Sequence, residues 1–252
     1  VDTLLNTLTQ SENTTELADN WVRLATYFET LFTTEQSIDK LKQTFLQLAV
    51  MGRLVEQDPT DEPANLLLDR KVNAPRYLDE RSSGSDTTPF KQPHGWRFAR
   101  FIDVLDFQGG SQPPKSQFVQ KPQNGYVQLI QIRDLGENPQ PVYVPKKSVS
   151  KLCTDKDILV GRYGASVGKV FWGKNGAYNV ALIKLDNYHG VYTPEFLYHL
   201  MRSPYGQSFF TGISRSAQNG FSKKDIAKRI LPIPPLEEQH RIVQKVDELM
   251  AL

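Results

Sequence analysis

The sequence predicts an α+β protein, in which a globular domain with a twisted, mainly antiparallel sheet is flanked by long helices that pair like a coiled coil. Three observations carry that expectation. Apolar residues recur at helical spacing before residue 52 and again after residue 236. The central part contains short β-branched and aromatic runs, each bounded by Gly, Pro, Asn or Asp. Proline-rich text separates the first helices from those runs.

Taken in order, the chain opens on a short amphipathic stretch with Leu4, Leu5 and Leu8. Asn13 and Glu16 are spaced as a capping box, and Leu17, Trp21, Leu24, Phe28 and Leu31 then repeat every three or four residues. Trp21 and Phe28 read as packing residues. A second helix is expected over Thr33–Gly52, with Thr33 and Gln36 as its capping box and Gly52 at its end. Its seam is Ile38, Leu41, Phe45 and Leu48. Residues 53–94 form a Pro-rich connector with a short helix at Ala64–Lys71 and a flexible linker expected at Glu80–Lys91.

The globular domain is expected over 95–232. GWRFARFIDVLDFQGG gives a strand or short helix and then the Gly109–Gly110 turn. Strands are expected at Tyr126–Ile132, Val142–Val144, Asp157–Leu159, Gly168–Trp172 and Ala181–Leu185. Helices follow at Thr193–Met201, with Phe196, Leu197 and Leu200 inward, and at Asp225–Arg229. Pro232, Pro234 and Pro235 bar a central strand or a helix interior. The last helix, within 233–252, begins with Glu237 and Glu238 at the positive end of its dipole. Ile242, Val243, Val246, Leu249 and Met250 share one face that is still running when the sequence stops, so a bare stripe in need of a partner is expected.

The charge is uneven. Residues 1–94 hold 9 Lys+Arg against 15 Asp+Glu, whereas the remainder holds 21 against 13. Within Ser111–Lys174 the balance is 10 to 4. A basic domain beside an acidic helical segment suits a polyanion for the first and a protein partner for the second. With 39% hydrophobic residues, no apolar run approaches the about 20 residues of a membrane span. The first residues show no basic-then-apolar signal pattern. The one cysteine, Cys153, fits a reducing compartment, and the cytoplasm is the expected location.

No catalytic signature emerges. GASVGK, Gly164 to Lys169, has three residues between its glycines where a phosphate-binding P-loop has four, and Val170 stands where that loop has Ser or Thr. A hairpin whose glycines turn tightly and present Arg162, Tyr163 and Lys169 is the better reading. His94, His189, His199 and His240 form no ligand-spaced cluster, so no metal site is expected. Asp155 and Asp157 read as solvated turn carboxylates. Two loops are polar and basic: Gly109–Phe118, with Gln112, Lys115 and Gln117, and Ser214–Arg229, with Arg215, Gln218, Asn219, Lys223 and Lys224. Arg133 lies in the same basic stretch as the first. Such residues reach phosphates and base edges. Together with the hairpin residues Arg162, Tyr163 and Lys169, and with Gln117 excepted, they are the candidate DNA contacts.

Four segments resemble the specificity subunit of type I restriction–modification enzymes: FTTEQSIDKLKQTFLQLAVMGRLVEQDPTDEPANLLLDR, GWRFARFIDVLDFQGG, DILVGRYGASVGKVFW and ILPIPPLEEQHRIVQKVDELMAL. The resemblance implies that Ser37–Met51 and Leu236–Leu252 are the family's conserved spacer helices and Phe98–Pro232 a target-recognition domain. It implies a non-catalytic subunit that reads one half of a bipartite double-stranded DNA site. Modification (methyltransferase) and restriction subunits are the implied partners, and S-adenosylmethionine, ATP and magnesium would belong to them. No methyltransferase N/D-P-P-F/Y motif is present. The family carries two recognition domains where one is seen here, which implies either part of a longer chain or a half-length subunit pairing with itself as a homodimer through the terminal helices. A helical adaptor whose central domain binds protein is the alternative, and a nuclease a third.

Overall fold

The computed structural model describes residues 1–11, 14–72, 88–212 and 220–251. The N-terminal part is helical: α1 (Asp2–Gln10), α2 (Thr14–Thr26), α3 (Phe28–Leu31) and α4 (Glu35–Val50). The last of these is capped one residue later than expected. The Thr34 hydroxyl accepts from the Ser37 amide and the Ser37 hydroxyl accepts from the Thr34 amide, both at 3.2 Å. A serine side chain thus closes the box that a Glu or Gln was expected to close. At the other end Gly52 adopts φ 67°, the left-handed position that stops a helix. The box expected from Asn13 lies outside the described residues, as does most of the 80–91 linker.

Helix α4 packs into two cores, with three residues of the expected seam in one of them. Leu41, Phe45 and Leu48 join Leu5, Leu8 and Leu24 of α1 and α2, and Trp21 stacks on Phe45 with ring centroids 5.7 Å apart. Leu46, Ala49 and Val50 face the main core. Ile38 packs in neither core and is exposed. Phe28 is also exposed, with its ring centroid 5.0 Å from that of Phe32.

The connector carries α5 (Ala64–Lys71) at its expected place and leads to β1 (Arg97–Arg100), α6 (Phe101–Val104) and β2 (Asp106–Gly109). The strands then run β3 (Tyr126–Ile130), β4 (Tyr143–Pro145), β5 (Leu152–Cys153), β6 (Ile158–Gly161), β7 (Val170–Trp172), β8 (Gly176–Tyr178) and β9 (Leu182–Asp186). Helices α7 (Pro194–Arg202), α8 (Pro204–Ser208) and α9 (Lys223–Ile226) follow, and then β10 (Ile230–Ile233) and α10 (Leu236–Met250). The single expected sheet resolves into three: β1-β10, β2-β9-β6-β7 and β4-β3-β8-β5. Among the described strands, all pairings are antiparallel except β3 with β8. Pro232 pairs with Phe98 in the two-stranded ribbon, an edge position that tolerates its missing amide proton.

The main core joins the β2-β9-β6-β7 sheet to α4, α7 and α10 around Trp96, Phe101 and Phe196. Thr193 caps α7 by accepting from the Phe196 amide at 3.2 Å, with Pro194 at the first helical position. On α10, Ile242 and Val246 are fully buried, Val243 and Met250 pack on the main core, and Leu249 packs on the N-terminal cluster. The stripe expected to be bare is therefore covered in part within the chain, with Val243, Leu249 and Met250 left half-buried. Gln239, buried at the start of α10, accepts from the Thr193 amide at 2.8 Å and donates to the Val191 and Pro234 carbonyls at 3.0 and 3.1 Å. It fixes where the last helix leaves the domain. Among the described residues, no helix is long and apolar enough to cross a membrane.

Candidate nucleic-acid interface

Strand register gathers three loops at one end of the β2-β9-β6-β7 sheet. Gly109, the last residue of β2, pairs with Ile183, and Gly161, the last of β6, pairs with Leu182. Val170, the first of β7, pairs with Val160. The loops leaving β2 and β6, the turn entering β9 and the residue before β7 therefore share that end. They carry Gln112 and Lys115, Arg162 and Tyr163, and Lys169. Gln112, Lys115 and Lys169 are exposed, while Arg162 and Tyr163 are half-buried.

Backbone contacts hold the loops there. A Cβ on Gly110 would stand 2.1 Å from the Asn179 carbonyl oxygen, so only glycine permits this approach. The Ser111 amide donates to the Tyr178 carbonyl at 2.8 Å, and the Arg162 amide to that of Ala181 at 2.9 Å. Asn179 shapes the turn by accepting from the Ala181 amide at 3.0 Å. Sequence reasoning passed over Asn179, although an Asn between an aromatic strand and an apolar run is a turn signal.

The GRYGASVGK segment is a hairpin. The Gly161 amide donates to the Lys169 carbonyl at 2.9 Å and the Gly168 amide to the Gly161 carbonyl at 3.0 Å, around a 3-10 turn at Gly164–Ser166. Lys169 leads into strand β7, where a P-loop lysine would open a helix. Arg162 is partly committed to structure. Its Nε donates to the Phe221 carbonyl at 3.1 Å and its guanidinium carbon lies 5.2 Å from the Tyr163 ring centre. Gly220 backs directly onto that ring. Arg162 thus braces the hairpin against the segment that begins at Gly220.

The other candidates do not join this group as freely. Lys223 is held by Asp106 at 2.6 Å, and Asp106 is the far end of β2. Lys224 is exposed on α9. Arg133 follows β3 on the other four-stranded sheet, where it lies 3.9 Å from Asp134 and donates to the Gln140 carbonyl at 3.4 Å. Arg215, Gln218 and Asn219 lie outside the described residues. Among the described residues, no group of three or more His, Cys, Asp or Glu is placed to hold a metal ion. Asp157 is less solvated than expected: it accepts from the Thr154 amide at 2.7 Å and faces Lys184 at 3.4 Å. Cys153 is buried and donates to the Lys174 carbonyl, and burial pushes its thiol up to about 11, which removes it as a nucleophile near neutral pH.

The EcoAI specificity subunit of Escherichia coli is 32% identical over 99% of this chain and 46% of its own length. The EcoEI specificity subunit of Escherichia coli is 50% identical over 42% of this chain and 19% of its own. The chain spans about half the length of the former. The crystal structure of an HsdS subunit from Thermoanaerobacter tengcongensis shares the fold, with a TM-score of 0.51 and 18% identity over 99% of this chain and 60% of that one. A chain from a structure of a type I R-M system, described for its complex assembly and conformational transition, gives a TM-score of 0.53 at 21% identity over 91% of this chain and 51% of that one. The family model for the type I restriction modification DNA specificity domain matches residues 93–252, which is more than half of the sequence, and the chain therefore belongs to the type I restriction–modification specificity family.

Proposed function

We propose that this chain recognises one half of an interrupted double-stranded DNA target and positions adenine methyltransferase subunits on it, with no catalysis of its own. The observation that carries the reading is the loop end of the β2-β9-β6-β7 sheet, shared by the loop that carries Gln112 and Lys115 and the hairpin that carries Tyr163 and Lys169. Lysines there supply salt-dependent phosphate contacts, and the amide and phenol groups supply hydrogen bonds at base edges. Arg162 holds the hairpin at its working angle. Membership of a DNA specificity family over the whole central domain favours this reading over a protein-binding adaptor.

On this reading the acidic helical part meets modification subunits and, through them, a restriction subunit. S-adenosylmethionine, ATP and magnesium belong to those partners, because the methylated adenine must leave the stack and enter a methyltransferase pocket. A second copy would supply the other half-site, and Val243, Leu249 and Met250, half-buried on α10, are the part of the stripe left for it. The test is selection from a random duplex library by the chain assembled with its modification subunits. A short specified sequence, lost when residues 95–232 are exchanged for those of a relative, is the expected result. DNA capture with no enriched sequence would overturn the reading.

A further inference from the structure

The two four-stranded sheets meet at the loop end and part at the other. On β3, Val127 and Leu129 turn toward a small cluster with Val144 and Ala177, so Tyr126, Gln128 and Ile130 face the opposite sheet. On β9, Ile183 and Leu185 enter the main core, so Leu182 and Lys184 face back across the gap. Ile130, Tyr178, Leu159 and Leu182 close that gap with apolar contacts. Beyond them it opens into a cleft of about 580 Å³ lined by Tyr126, Gln128, Tyr143, Lys146, Asp157 and Lys184. A neighbouring hollow of about 640 Å³ shares Tyr126 and Lys146 and adds Lys147.

The charge of this mouth is one-sided. Asp157 is already taken by Thr154 and Lys184. Lys146 and Lys147 line the mouth and Lys151 precedes Leu152, which also lines it; all three are exposed, and none makes an ion pair among the described residues. None of these lysines belongs to the loop end; Tyr126, beside them, opens β3 while Ile130 closes it near that end, a separation of about one strand length, roughly 15 Å for five residues. The mouth is wide and open, whereas a small ligand would need most of its surface covered. Lysines, phenols and an amide, with no arginine fork, suit phosphate oxygens better than base edges.

We infer that the tyrosine face of β3–β4, with its lysine rim, is a second DNA contact that grips the sugar–phosphate backbone without reading sequence. This rests on the proposed function, because it takes the same ligand. The experiment uses the full chain assembled with modification subunits, a random-sequence duplex as the probe, and binding measured across a range of salt. Substituting Lys146, Lys147 and Lys151 together by Ala should weaken binding at least about tenfold near 100 mM salt. It should also flatten the slope of log K against log salt by about 0.9 for each phosphate that is no longer neutralised. Preference for the selected sequence over random DNA should be unchanged, and the triple Lys→Arg variant should bind like the parent. Unchanged affinity and slope would overturn the inference and leave the proposed function standing. Loss of modification-subunit binding with an unchanged salt slope would assign the surface to protein and equally overturn it. A parent complex that binds no duplex at low salt would overturn both.

Discussion

The indole N–H of Trp96 donates to Oε2 of Glu238 at 2.9 Å across 142 residues of chain, with both side chains buried. This bond joins the entry of the globular domain to the first turn of α10. Arg241, one turn on, grips Asp61 of the connector through both its terminal nitrogens, at 3.1 and 2.6 Å. The domain is thus fastened at its neck by a small polar node in an otherwise apolar region.

That node should make stability depend on pH. Burial pushes the Glu238 carboxyl up to about 7, against the downward pull of Trp96, Gln57 and Arg241. In the unfolded chain the group ionises near 4.5, so its contribution is fully present below that pH and is lost as pH rises toward 7. The loss is on the order of 2–3 kcal/mol. Glu238→Gln keeps an acceptor for Trp96 and removes the titration. Denaturant unfolding at pH 5 and pH 8 should show a difference in the parent that the variant lacks. An undiminished difference in the variant would contradict the assignment.

Gln239→Ala should cost about 2–4 kcal/mol, because it strands the Thr193 amide and two carbonyls in a dry site. A thermal shift within experimental error would mean that water replaces the side chain there.

Two glycines of the hairpin should behave differently. Gly168 has φ 80°, and an added Cβ would stand 2.9 Å from the Phe210 ring. Gly164 has φ 55° and open space around it. Gly164→Ala should cost only the left-handed backbone penalty, about 1–2 kcal/mol. Gly168→Ala should cost more and displace Lys169 as well, which unfolding and DNA-binding titrations together would register. Equal effects would mean that the Phe210 ring yields freely.

Lys169→Ala should weaken binding to all duplexes alike, as removal of a phosphate-neutralising charge does. Gln112→Ala should reduce discrimination by about 1–3 kcal/mol at one base position. Arg162→Lys should loosen the hairpin, since a lysine cannot both donate to the Phe221 carbonyl and lie flat on Tyr163. Competition titrations with selected and scrambled duplexes separate these outcomes. A Lys169→Ala loss confined to the selected duplex would reassign that residue to base readout.

Local rules carried much of this fold. The helices at Ala64–Lys71 and Pro194–Arg202, and the strands beginning at Tyr126, Tyr143, Ile158, Val170 and Leu182, follow from periodicity and turn residues, whereas Leu152–Cys153 and Gly176–Tyr178 lie outside the expected strands. Long-range pairing was not legible. Nothing in Gly176–Tyr178 alone says that it pairs parallel to β3, and Ile230–Ile233 looked like a proline break until Phe98 supplied an edge partner. The same limit governs the site. Composition identified Arg162, Tyr163 and Lys169 as a presented loop, but only register brings Gln112 beside them. Lys223 looked as available as Lys169 because its pairing with Asp106 spans far more chain than any local rule covers.

The most direct test of the loop end as the DNA reader is hydrogen–deuterium exchange on the assembled complex, with and without its selected duplex. Slower amide exchange on DNA addition in residues 110–118 and 162–169, with α1 and α2 unchanged, is the predicted result. Exchange unchanged in both loops while DNA is bound would contradict the account.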